Sequence, residues 1–348
     1  MTPLVSILIP AYNAEPWIGD TIQSALAETW PRKEVIIVDD GSRDQTLSIA
    51  RQFASTNVSV VTQENQGASA TRNCALSLSQ GDYIQWLDAD DLLSPNKIAK
   101  QMEVAQESQS KRMLFSSAWG AFTYRVSKAQ FLPTSLWCDL SPVEWLLRKM
   151  SQNLHMQTAT WLLSRDLTDA AGPWDTRLSL DDDGEYFSRV VLASGGTRFV
   201  PEGQVFYRQR GSDRLSNFDR SDKKLESQFL SMKLHIDYLR SLEESERVRI
   251  ACLAYLQTWF ESFFGERPDL VRELERLAAK LGGRLEAPRL PWKYLWIQKL
   301  FGWSVAKEVR QRWNQCKSSV MRSWDKTLFR LEDLNFAIRL GNSSTKSS

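Results

Sequence analysis

Histidine and cysteine are scarce in this chain, with two histidines and four cysteines among 348 residues. Two histidines are too few for a histidine-rich zinc centre. The four cysteines lie far apart, and no CxxC pair or other metal-binding spacing occurs among them. The sequence therefore predicts reduced thiols in a cytoplasmic protein.

A large charge excess and long apolar runs are also lacking. The formal net charge is only +2, which gives no reason to expect nucleic acid as a partner. No stretch approaches the roughly 18 consecutive apolar residues of a membrane-spanning helix. The start, "MTPLVSILIPAYN", has neither the basic residues nor the small-residue cleavage site of a signal peptide. We expect a soluble chain.

Short β-branched segments alternate with helix-like segments over the first hundred residues. "LVSILIP", "KEVIIVDD", "VSVVTQ" and "GDYIQWL" are typical of buried strands, and amphipathic segments separate them. Strict alternation of strand and helix predicts an α/β fold, with a mostly parallel sheet and helices on both faces. We place this domain at residues 1–215, with halves at 1–110 and 111–215.

The composition and periodicity of the sequence change after residue 215. Residues 216–288 have the composition and periodicity of helices, including the amphipathic "DLVRELERLAAKLGG". Residues 289–348 form a tail rich in tryptophan, lysine and arginine, and its end, "GNSSTKSS", is predicted to be disordered. Two interpretations of the tail stay open: an interfacial element against anionic lipid, or a helical subdomain with packed tryptophans.

Two acidic clusters, "VDDGS" and "LDADD", come at the ends of predicted strands. Ligands bind beyond the carboxyl ends of the strands in open parallel sheets, so both clusters are expected at one site. The first turn, "PAYNAEPWIG", matches neither GxGxxG nor a P-loop. A metal held by carboxylates is one remaining way to handle phosphates.

Asp88 and Asp90 are two residues apart, so an extended backbone places them on the same side. Oxygen ligands of this kind suit Mg²⁺ or Mn²⁺. Such a pair alone is a weak signal, because surface turns often carry aspartates. Asp91 is expected either to support the metal ligands from behind or to cap a helix that begins in "LLSPNKI", and we favour the cap.

Four segments, taken together, resemble glycosyltransferase family 2, whose members have the GT-A fold and use nucleotide sugars. They are "VSILIPAYNAEPWIGDTIQSALAETW", "EVIIVDDGSRDQT", "ENQGASATRNCAL" and "GDYIQWLDADDLL". A weaker fifth segment, "GPWDTRLSLDDDGEYFSRVVLASG", extends the resemblance to about residue 210. The resemblance implies an inverting transferase that moves a sugar from a nucleoside diphosphate to a hydroxyl group.

The resemblance also implies roles for individual residues on the donor side. Asp90, with Asp88, would bind the metal ion, and Asp88 would also lie at the nucleotide. Arg210 stands where many relatives have a histidine, and it would pair with the diphosphate. The remaining nucleotide-binding residues implied by the family pattern are Pro10, Ala11, Tyr12, Asn13, Asp40 and Arg72.

On the acceptor side the transfer needs a base, since a hydroxyl group is a poor nucleophile until its proton is removed. Counting back from the arginine of "EYFSR" places the family's acidic pair on Asp182 and Asp183. We predict Asp183 as the base, with Asp182 as the second choice. Trp161 and Trp174 are either a platform for the acceptor sugar or core residues.

Two functions stay open at this point. One is an active glycosyltransferase with a UDP-sugar donor and a glycan or lipid-linked acceptor, working in the cytoplasm or peripherally at the inner membrane face. The other is a protein that binds nucleotide sugars without catalysis. A sugar nucleotidyltransferase is disfavoured, because it would need a glycine-rich first turn with a nearby basic residue.

Overall fold

The computed structural model describes residues 2–108, 110–210 and 221–344, with the backbone alone for residues 332–344. The chain divides into two compact units. The first comprises residues 1–120, 131–207 and 218–288, and the second comprises residues 121–130, 208–217 and 289–348. No helix of the described residues is both long enough and apolar enough to span a lipid bilayer.

The strands of the described residues are β1 (Val5–Ala11), β2 (Lys33–Asp39), β3 (Val58–Thr62), β4 (Tyr83–Trp86), β5 (Leu92–Leu93), β6 (Leu114–Phe122), β7 (Gln130–Phe131), β8 (Leu163–Ser164) and β9 (Thr197–Arg208). The α-helices are α1 (Ile18–Leu26), α2 (Thr46–Arg51), α3 (Ala68–Leu78), α4 (Lys97–Glu107), α5 (Pro142–Ser151), α6 (Arg165–Ala171), α7 (Asp182–Ala193), α8 (Asp222–Leu242), α9 (Glu246–Phe263), α10 (Pro268–Lys280) and α11 (Leu295–Ser344).

The first sheet has the strand order β3-β2-β1-β4-β8. The first four of these strands pair in parallel, and β8 runs antiparallel to β4. Ile7, Leu8 and Ile9 are all fully buried, although successive side chains point to opposite faces of the sheet. Both faces are therefore covered, as continuous apolar runs such as β1 predict. The predicted α/β fold is confirmed.

A second, four-stranded sheet has the order β5-β9-β6-β7. Its strand β5 follows the acidic loop 87–91 at once and pairs antiparallel with β9 through Leu92 and Phe206. The loop is thus held at both ends, because β4 precedes it in the first sheet.

Helices α8, α9 and α10 belong to the first unit. Leu225, Met232 and Ile236 of α8 share one apolar cluster with Trp86 of β4. Helix α8 therefore contributes to the same hydrophobic core as the first sheet. The change in composition along the sequence did not indicate this contribution.

The second unit contains the long helix α11, which bends at Gly302, where φ is 84°. Leu290, Ile297 and Ala306 form a small apolar cluster in this unit, together with Trp303. The predicted disordered end spans residues 341–348; helix α11 continues to residue 344, and residues 345–348 lie outside the described residues.

Candidate active site

The ends of β1 and β2 are joined by hydrogen bonds between their following loops. Asn13 N–H donates to Ser42 Oγ at 3.0 Å, and Asn13 Oδ1 accepts from Arg43 N–H at 2.9 Å. Asn13 adopts a positive φ of 46°, a region in which asparagine is enriched. Tyr12 beside it is 38% exposed. The predicted nucleotide-binding residues 10–13 therefore lie at the carboxyl edge of the sheet, and their contact with a nucleotide stays a prediction.

Asp40 organises the loop that precedes α3. Its Oδ1 accepts from Gln63 Nε2 and Gln66 N–H, and its Oδ2 accepts from Asn65 Nδ2 and Gly67 N–H, all at 2.8–3.0 Å. An ionised carboxylate has about four acceptor positions, and here the protein uses all four. Asp40 thus has a structural function in addition to its predicted contact with the nucleotide.

Arg72 of α3 joins the two acidic segments of the chain. Its Nη2 donates to Asp88 Oδ1 at 2.9 Å, and its Nη1 donates to Asp182 Oδ2 at 2.7 Å. The guanidinium also lies 4.3 Å from the ring centroid of Trp174. Burial alone would lower the pKa of Arg72, but Asp182 and Asp88 raise it above its usual value. Arg72 is therefore a permanent cation between carboxylates that are 94 positions apart in sequence, at residues 88 and 182.

Asp182 and Asp183 form the first turn of α7 and differ in their partners. Asp182 accepts from Arg72 and, at 3.3 Å, from Ser69 Oγ, whereas Asp183 Oδ1 accepts from Gly184 N–H at 2.9 Å. Burial raises the pKa of both carboxyl groups above the usual range. For Asp183, the charge of Asp181 raises the pKa further, and Arg72 opposes the shift. A carboxyl group with a raised pKa is better suited to accept a proton near neutral pH.

The loop 88–91 supplies the oxygen atoms predicted to bind a metal ion. Arg72 occupies Oδ1 of Asp88, and Oδ2 of Asp88 accepts no hydrogen bond from the described residues. Asp90 is 8% exposed. Over the described ranges, no three histidine, cysteine, aspartate or glutamate side chains form a metal-binding group. Mg²⁺ can bind through one or two carboxylates together with substrate phosphates, so a metal ion at Asp88 and Asp90 stays a prediction.

The predicted capping role of Asp91 is wrong. Helix α4 begins later, with Asn96 at its N-cap, and the backbone after Asp91 enters β5. Asp91 is fully buried and accepts from Gln157 Nε2 at 3.1 Å. This buried bond holds the acidic loop against the segment that follows α5.

The two tryptophans considered as an acceptor platform are core residues. Trp161 is 0% exposed and stacks on Phe187, and Trp174 is 1% exposed and stacks on Tyr186 with 4.0 Å between ring centroids. A sugar needs an open ring face, which neither side chain offers, so that interpretation is corrected. Arg210 follows β9 and belongs to the second unit, and its predicted role at the diphosphate stays a prediction.

Sequence reasoning missed the residues that hold the predicted ones in place. Gln63, Asn65 and Gly67 bind Asp40, and Ser69 binds Asp182. The polar segment "ENQGAS" was the available signal, since side-chain amides and a glycine before a helix are typical of a structured turn.

Comparisons with known proteins show what this chain is similar to. The family model described as "Glycosyl transferase family 2" matches residues 6–121. A putative teichuronic acid biosynthesis glycosyltransferase, TuaG of Bacillus subtilis (strain 168), is 43% identical over 108 residues, which are 30% of this chain and 43% of TuaG. The uncharacterized glycosyltransferase EpsJ of the same organism is 27% identical over 217 residues, 60% of this chain and 62% of EpsJ. The chain thus covers less than two thirds of either relative.

Among solved structures, the fold is similar to that of residues 1–349 of TarS from S. aureus. The TarS structure in complex with UDP-GlcNAc superposes with a TM-score of 0.63 at 18% identity, over 80% of this chain and 81% of that one. This likeness shows that the two proteins share the GT-A fold. Residues 6–121, about a third of the chain, match the model of glycosyltransferase family 2.

Proposed function

We propose that this chain is an inverting glycosyltransferase that transfers a sugar from a nucleoside-diphosphate donor to a hydroxyl group. The donor we propose is a UDP-sugar, because the structural neighbour TarS was crystallised with UDP-GlcNAc. The acceptor we propose is a glycan or a lipid-linked glycan. Curated relatives of this chain are named glycosyltransferases, which supports the reaction class.

One observation supports this function above the others. Arg72 binds both Asp88, of the loop predicted for the donor diphosphate, and Asp182, of the acidic pair predicted for the acceptor. A glycosyltransferase needs donor and acceptor groups at one place, since the reacting atoms must approach within about 3–3.5 Å. The fold brings these two segments together through a single buried cation.

In the proposed reaction Asp183 is the base. The acceptor oxygen attacks the anomeric carbon, its proton passes to a carboxylate oxygen of Asp183, and the bond between that carbon and the diphosphate oxygen breaks. Arg72 binds Asp182 and opposes the rise of its pKa, so Asp183 is the carboxyl group of the pair that remains without an ion pair among the described residues. Its raised pKa favours proton uptake.

Asp90 and Asp88 would hold the divalent cation, Mg²⁺ or Mn²⁺. When bound, the ion would neutralise the negative charge that develops on the diphosphate. Arg72, already ionised at that edge of the sheet, would add a second positive charge near the same phosphates.

Melting curves test the binding half of this proposal. UDP with Mn²⁺ is expected to raise the melting temperature of the wild type, because a ligand that binds only the folded state stabilises it. Asp90→Ala is expected to lose most of that increase. Asp139→Ala, at an exposed carboxylate, is the matched control and should keep it. No increase with any nucleoside diphosphate, with or without metal, would reject the proposed pocket.

Release of UDP from UDP-sugars tests the catalytic half. Asp183→Asn is expected to lower kcat by about 100-fold or more while leaving the UDP-dependent melting increase intact. Asp237→Asn, at an exposed position of α8, is the control and should have no effect. Nucleotide binding without turnover of any UDP-sugar in the wild type would instead support the binding protein that lacks catalysis.

We further propose that the second unit contacts an anionic membrane, which would place the enzyme peripherally at the cytoplasmic face. Trp313, Val320, Trp324 and Leu331 are exposed, and spacings of seven, four and seven residues place them on one side of α11. Residues 289–331 include ten lysines and arginines but only two acidic residues. Exposed tryptophans with surrounding basic residues suit a lipid interface.

Vesicle flotation tests this contact. The full chain is expected to bind vesicles that contain phosphatidylglycerol and to bind pure phosphatidylcholine vesicles much less. Trp313→Ser with Trp324→Ser should abolish binding, whereas the control Leu132→Ser, at an exposed position of the first unit, should not. Binding to neither vesicle, or self-association that the tryptophan variants remove, would overturn the proposal.

A further inference from the structure

Helix α8 presents a row of buried polar side chains, although it lies outside the residues that match the family model. Ser227, Ser231 and His235 are 3%, 0% and 0% exposed. Residues four positions apart lie on the same side of a helix, so the three form one polar row. Buried polar groups cost free energy unless they are hydrogen-bonded, and the partners of this row are therefore informative.

The first member of the row binds the backbone just before α7. Ser227 Oγ accepts from Ser179 N–H and Leu180 N–H, both at 2.9 Å, and it donates to Leu180 C=O at 2.8 Å. A serine hydroxyl has one proton and two acceptor positions, so all of its hydrogen-bonding capacity is used here. One side chain thus fixes two consecutive residues of this segment.

The other two members surround the side chain of Asp181. Ser231 Oγ donates to Asp181 Oδ2, and Nδ1 of His235 lies 3.9 Å from the same oxygen. His235 Nδ1 is also 2.9 Å from the hydroxyl of Tyr255 on α9. Asp181 has a φ of 59°, the left-handed region that residues other than glycine rarely adopt. This conformation directs the chain into α7, so the row holds a backbone that would otherwise relax.

Asp181 also constrains the first turn of α7 from inside. The carboxylate of Asp181 lies over the Cα atom of Gly184, where a Cβ atom would overlap Asp181 Oδ1. Asp182 and Asp183 lie between these two residues in the chain. The positions of both carboxylates therefore depend on where Asp181 is held.

We propose that Ser227 and Ser231 are positioning residues, which set the place of Asp183 through the backbone of residues 179–181. This inference rests on the proposed function, in which Asp183 is the base, and it extends that site to a helix beyond the family match. Displacement of a catalytic group by about 1 Å costs up to about 100-fold in rate, so such remote support would affect turnover.

The test compares Ser227→Ala and Ser231→Ala with Ser241→Ala. Ser241 is an exposed residue of the same helix, and its hydroxyl donates to Tyr238 C=O at 2.7 Å, so its removal is a matched control. Four quantities are measured for each full-length variant: melting temperature, UDP-dependent melting increase, kcat and KM for UDP release, and amide hydrogen exchange of residues 179–184.

Ser227→Ala and Ser231→Ala are expected to lower kcat by about tenfold or more, with KM and the UDP-dependent melting increase unchanged. Amides of residues 179–184 should exchange faster in these two variants. Ser241→Ala should match the wild type in all four measurements.

Unchanged kcat in both variants would overturn the proposal, as would losses of kcat that only follow a fall in melting temperature. The failure of the proposed function has a different signature. In that case the wild type itself releases no UDP, while the change in amide exchange of residues 179–184 still reports whether Ser227 and Ser231 hold this segment.

Discussion

Replacement of Arg72 by methionine should cost more stability than the same replacement at an exposed ion pair of similar geometry. Arg72 is 7% exposed and pairs with two carboxylates at 2.9 Å and 2.7 Å. Arg177 pairs with Asp175 at 2.6 Å, but its side chain is 66% exposed. Arg177→Met is therefore the control, because its pairing distance is similar while its side chain is exposed and has a single carboxylate partner.

The expected magnitudes follow from this difference in burial. Removal of one partner from a buried ion pair typically costs about 3–5 kcal/mol, since an uncompensated buried charge remains. An exposed pair is worth about 0–1 kcal/mol. Methionine retains apolar contact with Trp174, so the loss at position 72 should reflect the charge more than the packing. We expect Arg72→Met to lower the free energy of unfolding at pH 7 by about 3–5 kcal/mol, and Arg177→Met by less than about 1 kcal/mol.

The cost at position 72 should depend on pH. Burial already raises the pKa of Asp182, and the charge of Arg72 opposes that shift, so the pKa rises further in the variant. A carboxyl group whose pKa is higher in the folded state than in the unfolded state destabilises the protein as the pH rises. The loss develops between the unfolded-state pKa and the folded-state pKa. The deficit of Arg72→Met is therefore largest at pH 7 and shrinks toward pH 4.

Urea denaturation followed by circular dichroism at pH 4.5, 5.5 and 7 measures these free energies. The reasoning is refuted if Arg72→Met costs no more than Arg177→Met at pH 7. A large cost that stays constant across this pH range would also refute it, because lost packing and not an unpaired carboxylate would then be responsible.

Two further substitutions test other parts of the first unit. Glu28 is 3% exposed, and burial raises its pKa from 4.5 to about 7, so its contribution to stability should fall by about 3 kcal/mol between pH 4.5 and 7. Glu28→Gln should remove that decline in urea denaturation, and curves parallel to the wild type would contradict the expectation. Gly184→Ala should lower stability by about 1–3 kcal/mol and reduce kcat, because the new Cβ overlaps Asp181. Thermal unfolding against the control Gly19→Ala, whose Cβ would meet Ile49 at an ordinary 3.8 Å, checks this; equal melting temperatures would contradict it.

Local sequence patterns predicted the α/β fold because its parallel strands are short, apolar and separated by helices. "VSILIPA" and "KEVIIVD" pair in register from Val5 with Lys33 to Ala11 with Asp39, and their buried faces follow from composition alone. The acidic loops lie at the strand ends for the same reason. These features are encoded within a few residues of where they appear.

The remaining features depend on contacts between distant segments, which no local pattern encodes. The sequence predicts Asp91 as a helix cap, but its buried carboxylate accepts a hydrogen bond from Gln157, which is 66 residues away. A tryptophan suits a sugar-binding platform and a hydrophobic core equally well, so the sequence could not decide between these functions for Trp161 and Trp174. Their stacking on Phe187 and Tyr186 of α7 shows that they are core residues. The serines of α8 carry no signal at all, because serine is ordinary on a helix surface.

The hydrogen bonds of Asp40 have a consequence for recognition of the donor. Its four acceptor positions are filled by residues 63–67, so a nucleobase can gain a bond to this carboxylate only by displacing a donor such as Gly67 N–H. Gly67 is also the N-cap of α3, the helix that carries Arg72. Binding of the base to Asp40 would then shift the start of α3, whose Arg72 binds Asp88 and Asp182. Recognition of the donor base would thus be coupled to the arrangement of these charged residues.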